Sequence, residues 1–285
     1  MGKEQIIVQL NPDVPHTGSD LGVVNAARRS FGKRSEWEYC GGDWCDDLCN
    51  DSDGSKSKCP KLKDKDKRLL EFLARGMTAD DFDAFVETVS LRNMDAYGYA
   101  GQGNNEKELK ELLWQWRNTA THDTPFNHGF FSFEVKLPMF SARQLVKTEY
   151  TIISEISRRY ITDDIEFYEH TYRNQSEDKK QGSVGRHGNS GKWEALSREH
   201  AMQAVTLYNK MVEDGVAIEQ ARGELPANLM VEWTWSGTLG AFAKMCRERL
   251  ASDAQQETRL VAQKVYEELK KQFPVAAPLL VEGVK

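Results

Sequence analysis

The sequence predicts a mixed α/β (α+β) domain. Strand patterns lie in the first half, at residues 6–10 and 130–140, and helical periodicities fill the last third, after Ser197. The 285 residues, 39% of them apolar, can bury one large core, and no internal repeat divides them. The expected organisation is a single domain over 1–285 carrying two polar insertions, 36–66 and 93–108.

Along the chain, IIVQL (6–10) reads as a first strand and NAARRSFGK (25–33) as a short helix or turn closing near Gly32. Residues 36–66 are rich in Asp, Lys, Ser, Gly and Cys without an apolar period, the pattern of an exposed insertion. The helix DKRLLEFLARG follows, with Leu69, Leu70, Phe72 and Leu73 inward and Gly76 as its stop. A second polar excursion around AYGYAGQGNN precedes the helix EKELKELLWQWRN. FFSFEVKLPMF alternates through Phe131, Phe133, Val135 and Leu137, which is strand periodicity. ARQLVKTEYTIISEISRRY (142–160) reads as an amphipathic helix, followed by an irregular polar stretch to Lys192. Three helical patterns close the chain. One runs from a Ser197 cap to Gly215, AIEQARGEL stops before Pro226, and the last starts on a Ser252 cap with Gln255 completing a capping box.

Net charge −6 and a pI near 5.6 argue against a protein that coats nucleic acid, although local cations can grip single phosphates. No apolar run is long enough to span a bilayer, and MGKEQIIVQL lacks the apolar core of a signal peptide, so a cytoplasmic location is expected. Cys40, Cys45, Cys49 and Cys59 crowd one segment. Four thiolates are the usual complement of a closed zinc site, but the spacing is not a paired C-x-x-C, and reduced thiols on a polar insertion fit as well. Asp51-x-Asp53-Gly54 opens like a calcium loop and lacks its later acidic ligand.

Gln144, Ser157, Arg158, Arg159 and Arg222 offer planar guanidinium forks and polar donors suited to a phosphate or a pyrimidine edge. Any one arginine alone more simply pairs with a surface carboxylate. In HDTPFNH, His122 and His128 flank a Thr-Pro turn that leads into a strand, a place where histidines usually serve structure.

Together these blocks resemble the flavin-dependent thymidylate synthases. The pattern A-R-Q-x-x-R-H-R-x-x-S-x-N-E-x-S-x-R-Y is kept at Ala142, Arg143, Gln144, Glu155, Ser157, Arg159 and Tyr160. HDTPFNH, FYEHTYRNQ with the later KQGS, QARGELPANL, RERLASDAQQETR and NAARRSF match the family's other blocks in order, from about Asn25 to Phe273. The resemblance implies an antiparallel-rich sheet packed with helices, in a homotetramer whose active sites form between subunits. It implies a methyltransferase using FAD, methylenetetrahydrofolate and NADPH to convert dUMP to dTMP, with no protein nucleophile. Gln144, Glu155, Ser157, Arg159, Arg222 and Arg249 then hold a pyrimidine nucleoside monophosphate, and Arg249 faces its ring. His128, Lys147, Thr148, Thr238 and Lys244 fall on the cofactor side, and Lys147, Glu149 and Arg249 are nearest the chemistry.

The departures cluster. The R-H-R triplet is Lys147-Thr148-Glu149, the serine and asparagine of the signature are Ile152 and Ser154, and flavin-side positions fall on Thr238, Gly240 and Lys244. Glu149 opens an alternative, because a carboxylate near the ring would favour cytosine's amino group, giving a dCMP-directed or hydroxymethylating enzyme. A non-catalytic nucleotide-binding relative is the third reading.

Overall fold

The computed structural model describes residues 5–39, 60–75, 122–177 and 182–282. In chain order the elements are β1 (Ile7–Leu10), α1 (Asp20–Arg29), β2 (Glu38–Tyr39), β3 (Pro60–Lys61), α2 (Asp64–Arg75), β4 (Phe130–Pro138), α3 (Met139–Leu145) and β5 (Thr151–Glu155). There follow β6 (Arg173–Gln175), β7 (Ser183–Arg186), α4 (Ser190–Glu213), α5 (Ile218–Ala221), β8 (Met230–Thr238), α6 (Leu239–Arg249), α7 (Gln256–Gln272) and α8 (Ala276–Val281). The cysteine cluster, the second insertion at 93–108 and the expected helix EKELKELLWQWRN lie outside the described residues, as does Gly76.

Two compact units emerge, one of Met1–Thr17 with Phe130–Leu269 and one of Gly18–Gly129 with Lys270–Lys285. The first is built on a four-stranded antiparallel sheet of order β1-β4-β8-β5. Alternation puts Phe131, Phe133, Val135 and Leu137 in register with Gly237, Trp235, Trp233 and Val231 on one face. Helix α6 covers that face. Its Phe242 meets Phe133 edge-on at 5.1 Å and Trp235 at 5.0 Å. The opposite face is polar, with Lys136 bridging Glu166 at 3.0 Å and Glu232 at 2.9 Å. A second apolar cluster joins Tyr208 of α4 to Ala221, Leu225 and Leu229.

In the other unit, α1 and α2 are joined by a buried ion pair. Arg28 donates to Asp66 through Nε (3.1 Å) and Nη2 (2.5 Å), and Ser35 Oγ donates to the same carboxylate oxygen at 2.8 Å. Asp20 accepts from the backbone N–H groups of Val275 and Ala276, which anchors the start of α8. Phe273 packs so tightly on Gly18 and Gly129 that an added Cβ at either would fall within 3.0 Å of its ring.

Several expectations are corrected. The stretch 142–160 is not one helix: α3 ends at Leu145, and 151–155 form edge strand β5 paired to β8. The β-branched Thr151, Ile152 and Ile153 suit a strand, and Tyr150 turns the chain with φ +58°. Helix α4 starts at Ser190, not Ser197. Helix α7 starts at Gln256, with the Arg259 N–H bonded to the Gln255 carbonyl at 2.9 Å, so the residue at its N-cap position is Gln255 and not Ser252. Phe72 is exposed, stacked on His122 at 5.4 Å, while Leu70, Leu73 and Ala74 are buried. Of the 36–66 stretch, Leu62 and Asp66 are buried rather than surface residues. The central strand β8 escaped the sequence reading, although MVEWTWSGT alternates Val231, Trp233, Trp235 against Glu232, Thr234, Ser236.

Candidate functional site

Helix α3 begins after Pro138 and is too short to be stable alone, so its direction is set by tertiary bonds. Ser141 Oγ and Thr258 Oγ1 share a buried hydrogen bond of 2.8 Å, which ties α3 to the first turn of α7. Thr258 Oγ1 also donates to Gln144 Oε1 (3.3 Å), and Gln144 Nε2 donates to Gln255 Oε1 (2.5 Å). Gln255 Nε2 in turn donates to Glu257 (3.1 Å). Glu257, buried, receives Arg173 Nη2 on both oxygens at 2.8 and 3.1 Å, while Arg173 Nε donates to Ser183 Oγ at 2.6 Å. One chain of polar contacts thus fixes α3, α7 and the β6–β7 pair around an open cleft.

That cleft has a volume of about 790 Å³, within the range of small-molecule sites, ~300–1,000 Å³. Arg143, Lys147, Arg173 and Arg249 line it against one carboxylate, Asp253, together with Gln144, Gln255 and Ser183. Four cations facing one anion make a field for a negatively charged ligand. Arg249 closes α6; its Nη2 donates to the Gln144 carbonyl at 3.3 Å, and its buried Nε has no partner among the described residues. A guanidinium held this way keeps donors for a carbonyl or an oxyanion. Beside the cleft stands an aromatic ladder. His170 stacks between Phe140 (5.2 Å) and Tyr172 (5.1 Å) and meets Tyr168 edge-on. Burial holds the His170 imidazole below its ordinary pKa and pushes the Tyr168 hydroxyl above its own, with Glu257 and Arg173 acting on both.

Of the sequence-predicted residues, Gln144, Lys147 and Arg249 line this cleft. Glu155, at the end of β5, lies in the field of Arg222 and Arg143. Partial burial of its carboxyl group raises its pKa, and the two arginines oppose that shift. Ser157, half-buried in the turn after β5, accepts from the N–H and Nε of Arg159 (3.3 Å each), and the exposed Arg159 lies over the Tyr160 ring at 5.3 Å. Arg222 is exposed and donates to the Glu219 carbonyl. Thr238 caps α6, its hydroxyl accepting from Ala241 N–H, and Thr148 stands in the turn after α3. His128 ends a 3-10 turn, Thr124–His128, in the other unit. No cluster of three or more potential metal ligands occurs among the described residues, and Cys40, Cys45, Cys49 and Cys59 lie outside them.

Glu149 and Lys244, two of the departures, meet each other: Lys244 Nζ donates to Glu149 at 2.7 Å. The hydrogen bond from Lys244 holds the Glu149 carboxyl below its ordinary range, and the same bond raises the lysine. Glu149 therefore favours the paired state until pH falls through its lowered pKa, and Lys244 until pH rises through its raised one, so the pair persists across neutral pH. Lys244→Ala returns the Glu149 titration upward towards the ordinary glutamate value, read by carboxyl-carbon NMR; an unchanged midpoint would break the pairing.

Arg143, Arg173, Asp253, Gln255 and Glu257 are cleft or support residues that the sequence reading did not assign. Arg173, Gln255 and Glu257 stood inside matched blocks, FYEHTYRNQ and RERLASDAQQETR, and that was the available signal.

The model of the family "Thymidylate synthase complementing protein" matches residues 14–275. The chain is 37% identical over 177 residues to a flavin-dependent thymidylate synthase of Thermus thermophilus, covering 62% of this chain and 65% of that one. It is 33% identical over 197 residues to the enzyme of that name from Ehrlichia ruminantium (64% and 63%) and 32% over 211 residues to that of Kosmotoga olearia (73% and 86%). The match thus spans just under two thirds of the Thermus and Ehrlichia relatives. In fold, the chain is similar to a UMP/dUMP methylase, PolB of Streptomyces cacaoi, bound with 5-Br UMP: TM-score 0.63, 19% identity, 99% of this chain and 96% of that one. The same protein bound with 5-Br dUMP gives 0.63, with 22% identity and coverage of 99% and 98%.

Proposed function

Because the chain belongs to the family of thymidylate synthase complementing proteins, the flavin-dependent thymidylate synthases, we propose that it methylates C5 of dUMP to give dTMP. The carbon comes from methylenetetrahydrofolate, with FAD as cofactor and NADPH as reductant. The observation that carries this reading is the cleft of four cations, in which Gln144 and Arg249 stand at the positions matched to the family's nucleotide-binding ones. A flavin fits the same donor set: Arg143, Lys147, Arg173 and Arg249 can receive its phosphates and those of the nucleotide, and the unpartnered Nε of Arg249 can serve a ring carbonyl.

When bound, the reduced flavin supplies the electrons that bring the transferred carbon to the methyl level. The chain's own residues bind, orient and neutralise. Arg249 places positive charge where negative charge develops on the uracil ring, and Gln144, fixed at both ends of its amide, keeps one orientation. Lys147 keeps a cation where the family's pattern has arginine. Glu149 is occupied by Lys244 and is absent from the cleft wall, which favours uracil over the cytosine alternative.

Glu155, Ser157, Arg159 and Arg222 complete the nucleotide site across a subunit boundary of a homotetramer. The exposure of Arg159 and Arg222 supports this, as do the exposed Trp193, Leu196 and Leu207, which share one face of α4 and offer an apolar surface to another copy. No described helix is long and apolar enough to cross a membrane.

The test is one preparation read three ways. The purified protein is expected to show flavin absorbance alone or after FAD is added, and light scattering is expected to give a tetramer. With folate and NADPH, dUMP is expected to give dTMP by mass spectrometry. A colourless protein that FAD cannot reconstitute, or turnover of dCMP in place of dUMP, overturns the proposal.

A further inference from the structure

The interior holds a charge that the proposed reaction does not touch. Glu257 is 2% exposed and sits in the first turn of α7, yet its partners reach the cleft wall on two sides. Both its oxygens accept from Arg173 Nη2, and Oε2 also accepts from Gln255. Arg173 and Gln255 both line the cleft, and Gln255 in turn accepts from Gln144. With Nε committed to Ser183 and Nη2 to Glu257, Nη1 of Arg173 is left without a partner among the described residues.

A buried carboxylate is costly unless it is paired and hydrogen-bonded, and replacing the pair with apolar groups is often neutral for stability. Stability alone therefore does not account for a fully wired carboxylate at this place. What the arrangement does is remove the rotamer freedom of a long cationic side chain before any ligand arrives. An arginine with two nitrogens clamped presents its remaining edge at a fixed place.

We propose that Arg173 contacts the anionic group of the bound nucleotide and that Glu257 is its positioning residue, acting through Arg173 and Gln255 without touching the ligand. The proposal rests on the nucleotide reading of the cleft and names a further contact within it. Arg173, Arg143 and Lys147 supply the charge. Glu257 lowers the net charge of the region by one and still favours binding, because the arginine it fixes pays less ordering entropy on contact.

The test is a double-mutant cycle in the full-length protein, titrated with dUMP, deoxyuridine and inorganic phosphate. Arg173→Ala is expected to weaken dUMP and phosphate about 10- to 100-fold, the range for a lost charged hydrogen bond. Glu257→Gln is near in size but cannot hold the guanidinium on two charged oxygens, and is expected to weaken both about tenfold. Deoxyuridine affinity is expected to change less than twofold in each. The double variant is expected to bind no more weakly than Arg173→Ala, because a positioning residue has nothing left to position. Equal losses for deoxyuridine and dUMP would mark Glu257 as a general structural residue, and additive losses in the double variant would mark it as acting independently; either overturns the proposal. If Glu257→Gln does not fold, Ser183→Ala, which frees Arg173 Nε, is expected to reproduce a smaller loss for dUMP and none for deoxyuridine; no loss for dUMP overturns the positioning role. Binding of phosphate with an intact cycle but no binding of dUMP would sink the nucleotide reading and keep the anion site. Normal dUMP binding with no coupling would do the reverse, and binding of none of the three would overturn both.

Discussion

Arg249→Ala loses dUMP affinity about 10- to 100-fold while the thermal midpoint stays level or rises. A hydrogen bond to a charged partner is worth ~1.5–3 kcal/mol, which sets the loss. The stability result comes from the environment of the side chain. Among the described residues Arg249 Nε is buried without a partner, and the guanidinium is held to the Gln144 carbonyl by a bond 3.3 Å long. Removing such a group relieves desolvation and breaks little. A residue that costs stability and serves binding is expected at a site, where activity is traded against stability. Calorimetric titration with dUMP and a thermal melt on the same sample measure both. Unchanged affinity removes Arg249 from the site, and a large fall in midpoint makes it structural.

Trp235→Ala destabilises the protein by about 3–5 kcal/mol, the usual range for truncating a buried aromatic to alanine. Trp235 is fully buried on the central strand, in register with Phe133 on one side and Ile153 on the other, and Phe242 of α6 packs edge-on against it. β4, β5 and α6 are each held by their own contacts, which resists collapse into the void. The indole Nε1 has no partner among the described residues, so the loss is one of packing rather than hydrogen bonding. Urea unfolding followed by circular dichroism measures the change, and a loss under about 1 kcal/mol would show that the core re-closes over the gap. Trp235→Phe keeps most of the ring area and is expected to cost less.

The strand 130–138 was legible because Phe131, Phe133, Val135 and Leu137 recur at the sheet period on one face. Strand β8 carries the same alternation, but it runs from Thr238 straight into the helix at Leu239, so no loop between them marks where the strand ends. The stretch 142–160 misled because Leu145, Val146, Tyr150, Ile153 and Ile156 satisfy a helical spacing as well as a strand. Only pairing with β8 settles the ambiguity, through hydrogen bonds that no local pattern encodes. In the site, Gln144 and Arg249 were readable from the ordered blocks. Arg173 was not, because its meaning lies in Glu257, 84 residues away.

The sequence by itself determined the family, the mixed α/β class and the positions of cations that suit a nucleotide, since these depend on composition, period and ordered motifs. The tertiary structure decided which cations share a cleft, that α3 gives way to an edge strand, and that Glu149 answers Lys244 across 95 residues. The physical reason is the same in each case. Charge pairing and edge-strand hydrogen bonds are made between segments far apart in the chain, and their partners are fixed only when the core has packed.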